Sequence, residues 1–168
     1  MWKILQPSSI HFGTGAAHDY HYPSNSLIIT SKGAISRDWI DYLKIKNFLI
    51  FDEVESNPSI ETVEKIISQF KIENFSCIIG LGGGSSLDVA KFVAFKMGKK
   101  KIMIPTTFGS GSEVTRISVL NVDGKKTSFH NEKILADVAI VDPIFIEGTP
   151  MEVIKKIDQL ILQKMEQH

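Results

Sequence analysis

Five short apolar runs recur along the chain, and the segments between them keep a different period. "SLIITS" (Ser26–Ser31), "NFLIFD" (Asn47–Asp52), "SCIIGL" (Ser76–Leu81), "KIMIPT" (Lys101–Thr106) and "VAIVDP" (Val138–Pro143) have continuous Ile, Leu, Val and Phe centres. Unbroken apolar centres, rather than an apolar–polar alternation, mark strands covered on both faces, as in a parallel sheet between helical layers. Between the second and third runs, "PSIETVEKIISQFKIEN" sets Ile60, Val63, Ile66, Ile67 and Phe70 on one helical face. Between the third and fourth, "SLDVAKFVAFKMG" reads as a helix from about Leu87, with Gly98 at its C-cap. Strand–helix alternation with short connections predicts an α/β fold, a doubly wound, mostly parallel sheet. "VLNVDGKKTSF" (Val119–Phe129) breaks the pattern, and its Asp123-Gly124 pair predicts a small β-hairpin before the last strand.

At 168 residues the chain is long enough for one domain with a proper core. Nineteen basic residues balance nineteen acidic ones. That balance argues against a nucleic-acid or membrane-surface role driven by bulk charge. No apolar run approaches the ~20 residues of a membrane span, and "MWKILQPSSIHFG" lacks the pattern of a signal peptide. A cytoplasmic location is the expectation. Cys77, the single cysteine, sits in an apolar run and is expected to be a core residue rather than a nucleophile.

"GLGGGSSLDVAK" (Gly80–Lys91) joins the third apolar run to the helical segment after it. A strand, a glycine-rich turn and a helix start form an anion cradle: bare backbone allows close approach, and free N–H groups face the ligand. Ser85 is placed to cap the helix, and Asp88, three residues on, to act as a capping-box acid. The spacing matches neither G-x-G-x-x-G nor a P-loop. A second polar loop, "PTTFGSGSEVT" (Pro105–Thr115), follows the next apolar run. Both loops emerge at carboxyl ends of neighbouring strands, where one extended ligand can span them: pyrophosphate on the first, sugar and ring on the second.

Together "GGGSSLDVAK" and "IPTTFGSGSEVT" resemble the iron-containing (group III, metal-dependent) alcohol dehydrogenases, whose pattern is GGGS-x-x-D-x-AK followed by PTT-x-G-T/S-GSE-T. "IHFGTGA", "FDEVESNPSIETV" and "AIVDP" extend the resemblance over roughly Pro7 to Pro150. "MWKI", "ITSKGAISR" and "DEVESNP" look like the branch containing phosphonoacetaldehyde reductases. The resemblance implies a Rossmann-like dinucleotide-binding domain over residues 1–148. Gly83, Gly84 and Ser85 would hold the pyrophosphate, with Asp88 nearby. Thr106, Thr107 and Ser110 would line the adenine and nicotinamide-ribose side. Asn57 would approach the adenosine half, and Lys126 the ribose or phosphate region. NAD-using members tend to carry Asp at the end of the first of the five runs, where this chain has Ser31 and Lys32. That substitution points to NADP(H) in preference to NAD(H).

Family enzymes add a helical domain whose Asp and three His hold a divalent metal, Fe or Zn, beside a small alcohol or aldehyde substrate. The first two ligands form an Asp-x-x-x-His pair. Here Asp158 is followed at that spacing by Leu162, and His11, His18, His21, His130 and His168 lie outside any such motif. The expectation is a nucleotide-binding half without the metal half. Residues 149–168 are expected to form an amphipathic helix through Met151, Val153, Ile154, Ile157, Leu160, Ile161 and Met165, the start of a helical metal-binding domain or a face available to a homodimer or a partner chain. Two other readings stay open: a dinucleotide-binding regulatory module without redox chemistry, and a sugar-phosphate cyclase sharing the fold.

Overall fold

The computed structural model describes residues 4–147. Its strands are β1 (Ser9–Phe12), β2 (Ser26–Ile29), β3 (Phe48–Phe51), β4 (Cys77–Gly82), β5 (Lys100–Pro105), β6 (Ile117–Val122), β7 (Lys125–His130) and β8 (Val138–Val141). Two long helices, α4 (Ile60–Phe70) and α5 (Gly84–Met97), accompany the short turns α1 (Ala16–Asp19), α2 (Lys32–Ile35), α3 (Trp39–Tyr42) and α6 (Pro143–Glu147). The expected terminal helix and the boundary at residues 148 and 149 lie outside the described residues.

Six strands form one parallel sheet in the order β1-β8-β5-β4-β2-β3. Side chains along a strand alternate between faces, and both faces are covered. Leu27, Ile29 and Ile78 point into a core built with α4 and α5. Ile28, Cys77, Ile79 and Leu81 point the other way, against residues of α1, α2, α3 and α6 such as Ala17, Ala34, Ile40 and Phe145. Two buried faces are why these runs read as unbroken hydrophobic sequence. The fold is the expected doubly wound, Rossmann-like α/β sheet, with the hairpin β6–β7 as a separate two-stranded sheet. Asp123 (φ 50°) and Gly124 (φ 77°) both take positive φ, as a two-residue hairpin turn of type I′ requires.

β1 has no counterpart among the five apolar runs. It is an edge strand paired in register with β8, Ser9 against Val138 through Phe12 against Val141. Three of its four residues are exposed, so it carries no continuous apolar signature. Its presence makes the glycine loop the sequel of the fourth strand rather than the third.

The strand order contains one reversal. From β2 the chain moves outward to β3 on one side, whereas β4 leads to β5 on the other. The crevice between the carboxyl ends of β2 and β4 is therefore the topological switch point, where open α/β sheets bind ligands. Thr30, fully buried just past β2, closes the base of this crevice by donating its hydroxyl to the Leu81 carbonyl of β4 at 2.6 Å.

Candidate functional site

Helix α5 begins at Gly84, three residues earlier than its apolar spacing predicts. Gly83 is the N-cap, with no side-chain capping bond, so Ser85 lies inside the first turn and does not cap. The Leu87 amide donates to the Gly83 carbonyl at 3.2 Å. The amides of the first turn precede that bond and have no partner within the helix. Gly82 sits at φ 149°, where a side chain would be strained, and a Cβ there would lie 2.7 Å from Ser86 Oγ. A fourteen-residue helix thus presents its positive end at the switch point.

The second loop lies directly against the first. The Thr106 amide donates to the Gly82 carbonyl at 2.9 Å. A Cβ at Gly83 would stand 3.2 Å from Thr107 Oγ1, and one at Gly84 would stand 3.2 Å from Ser110 Cβ. Both spacings are tighter than an ordinary Cβ contact, so a side chain at either position would press on the second loop. Thr107 is half-buried and Ser110 exposed at this contact. Thr106 is 4% exposed, so it acts as a wall of the loop rather than a reaching side chain.

Asp88 does not reach back to cap the helix. Its carboxylate accepts the Ser112 hydroxyl at 2.6 Å and the Val119 amide at 3.1 Å. It also pairs with Lys91 Nζ at 3.3 Å, one turn along α5. Lys91 is wholly buried. Its ammonium donates to the Thr115 carbonyl at 3.4 Å and to the Ile117 carbonyl. Burial holds the Lys91 ammonium below the ordinary lysine range, against the pull of the Asp88 and Glu113 carboxylates. One helix therefore fastens both the second loop and the hairpin.

The hairpin encloses a pocket of about 160 Å³ above the first turn of α5. Ser85 and Asp88 form part of its lining, with Asn57 and Pro58, Val119 to Asn121, and Lys126. The Asn121 amide donates to the Pro58 carbonyl at 2.8 Å, tying the hairpin to the Asn57-Pro58 turn. Four of the expected site residues, Asn57, Ser85, Asp88 and Lys126, thus share one pocket. The spacing gave no sign of Asn121, whose Oδ1 is buried without a hydrogen-bond partner. Ser31 and Lys32 stand apart from this pocket at the far lip of the switch point. Ser31 is the N-cap residue of α2 and Lys32 its first residue.

Other titratable groups have structural roles. Cys77 is 1% exposed, and burial pushes its thiol up to about 12, as suits an inert core residue. Asp142, fully buried, accepts from the Gly15, Ala17 and Ile144 amides and the Tyr42 hydroxyl. His18 lies in α1, its Nδ1 2.7 Å from the Asp19 carboxylate. Among the described residues no group of three or more His, Cys, Asp or Glu could hold a metal ion. No described helix is long and apolar enough to cross a membrane.

Comparison with known proteins supplies the family context. Residues 7–143 match the family model for iron-containing alcohol dehydrogenases. A long-chain-alcohol dehydrogenase of Geobacillus thermodenitrificans is 38% identical, covering 90% of this chain and 47% of its own length. The iron-containing alcohol dehydrogenase of Thermotoga maritima superposes with a TM-score of 0.82 at 28% identity, over 91% of this chain and 51% of that one. The sulfoacetaldehyde reductase of Bifidobacterium kashiwanohense, crystallised in complex with NAD+, superposes at 0.83 with 26% identity, over 91% and 49%. The chain spans about half the length of these relatives.

Proposed function

The chain belongs to the iron-containing alcohol dehydrogenase family, and on that premise we propose that its two loops bind a nicotinamide dinucleotide, NADP(H) in preference to NAD(H). The observation that carries the reading is the coincidence of a bare-backbone helix N-terminus with the switch point of the sheet. The residues suit such a ligand. The amides of Gly84 and Ser85, aided by the α5 dipole, offer donors to the pyrophosphate. Thr107 and Ser110, pressed against the glycines, line the path of the chain of sugars and rings. The pocket of Asn57, Ser85, Asn121 and Lys126 accepts a nucleoside moiety, with the Asn121 carbonyl oxygen an acceptor in want of a donor. Lys126 adds a cation for phosphate or ribose oxygens. The NAD+ complex of the Bifidobacterium relative supports a dinucleotide as the ligand class.

When bound, the nicotinamide ring supplies or accepts a hydride. The part of this chain is to hold and orient the dinucleotide. Asp88 is already committed to Ser112, Val119 and Lys91, and so sets the two loops without opposing the phosphates as a free anion. The described residues assigned a part here, Gly84, Ser85, Thr107, Ser110, Asn121 and Lys126, are ones that suit a nucleotide. We further propose that residues 1–148 are the dinucleotide-binding domain of a protein that interconverts a primary alcohol and an aldehyde.

Preference for NADP(H) rests on Ser31 and Lys32, where a ribose-binding acid would exclude a 2′-phosphate. Fluorescence titration of the chain with NADPH and NADH is the test. Tighter NADPH binding is expected, and Gly84→Val should weaken both cofactors at least about tenfold, since the added methyls fill the cradle. Equal or tighter NADH binding overturns the preference, and binding of neither overturns the cradle.

A further inference from the structure

An acid does stand beside Ser31, supplied by a different strand. Ser31 and Glu53 face one another across an isolated antiparallel bridge just beyond the ends of β2 and β3. The Glu53 carboxylate is held by Lys65 of α4, Nζ to Oε2 at 2.6 Å. The Lys65 ammonium also lies 5.4 Å from the centre of the Phe51 ring, which fixes where it sits. Arg37, at the same turn, donates to the Gly33 carbonyl at 3.0 Å and stacks over Trp39, and it keeps its charge. The charges beside Ser31 are therefore Lys32, Arg37 and the Glu53–Lys65 pair.

We propose that the Glu53–Lys65 pair is a cofactor-specificity latch: Lys65 holds the Glu53 carboxylate away from the ribose and offsets its charge, so that the site accepts a 2′-phosphate. The proposal rests on the dinucleotide reading above. The chemistry follows from charge and hydrogen bonding. A free carboxylate at this place accepts a 2′-hydroxyl and repels a 2′-phosphate. A carboxylate already accepting from an ammonium does neither strongly. With Lys65 present, Lys32, Arg37, Lys65 and Glu53 sum to two positive charges; without it they sum to one and the acid is freed.

The two partners should then act in opposite directions. Dissociation constants for NADPH and NADH are measured by fluorescence titration at low salt for the wild type, K65M, E53Q and E53Q/K65M. Both side chains are half exposed, so folding is expected to survive each change, and circular dichroism checks it. K65M should tighten NADH and weaken NADPH, each about fivefold, and E53Q should raise the NADPH-to-NADH preference by a similar factor. The NADH gain of K65M should vanish in E53Q/K65M, because the carboxylate that produces it is gone. With an NADPH-preferring wild type, an unchanged NADH affinity in K65M overturns the latch alone. So does an equal NADH gain in the E53Q background. A wild type that prefers NADH overturns both the latch and the NADP(H) preference, and one that binds neither cofactor overturns the dinucleotide reading and the latch with it.

Discussion

Lys91 carries a charge into a fully buried helix face. Its ammonium meets one carboxylate and backbone carbonyls, and burial lowers its proton affinity from the ordinary value of 10.5. In the window from that lowered value up to 10.5, the unfolded chain binds the proton that the folded chain has released. The sign of the linkage is then positive, so this group's contribution to stability rises with pH across that window and is least below it. Urea unfolding of the wild type and Lys91→Met between pH 8 and 10.5 checks the sign: the wild-type midpoint should rise relative to the variant. A flat or falling difference means that Lys91 titrates normally. Asp88 teaches the matching lesson about reading sequence. Its spacing from Ser85 suggests a capping box, yet its partners are Ser112 and Val119, 24 and 31 residues away. Local spacing cannot register a partner that tertiary packing brings from another loop.

Hairpin β6–β7 is the element whose conformation depends most on a single turn. Asp123 and Gly124 both lie at positive φ, which Asp tolerates and which Gly adopts without strain. Gly124→Ala, which puts a Cβ at positive φ, should cost about 1 kcal/mol, lowering the melting temperature by roughly 2–4 °C. It should also weaken NADPH binding, because the hairpin carries Asn121 and Lys126 into the pocket. Gly124→Asn, which suits a left-handed position, should recover most of both losses. Calorimetry with titration measures the two effects separately. This hairpin was legible because its turn chemistry is local. The buried strands β2, β4 and β5 were legible for a different reason, their two covered faces. β1 was not, since an edge strand with Ile10 47% and Phe12 77% exposed resembles any loop of mixed polarity. The start of α5 is not legible because glycines have low helix propensity, whereas here Gly84 packs against Ser110 of the second loop.

At the scale of the molecule, function follows from strand order, which the one-dimensional sequence does not display. β2 lies between β3 and β4, and that placement brings Ser31, the Gly82–Gly84 turn and the second loop to one crevice. The motifs identified what the loops hold; only the pairing of strands located the crevice between them. If a dinucleotide spans it, binding should stabilise the whole fold. At a free NADPH concentration of 100 times Kd the gain is about 2.7 kcal/mol, or roughly 5–11 °C in melting temperature. Differential scanning fluorimetry over a range of NADPH concentrations tests this, and no shift would count against a ligand that bridges the two loops. The edge at β1 bears on how the protein comes to be made. β1 pairs with β8, and nearby Gly15 is bonded to Asp142, 127 residues along the chain. At translation rates of about 5–20 residues per second, the first strand leaves the ribosome roughly 6–25 s before its partner does. Throughout that interval β1 is a strand without a neighbour, and its side of the sheet can close only once Val138–Val141 emerges.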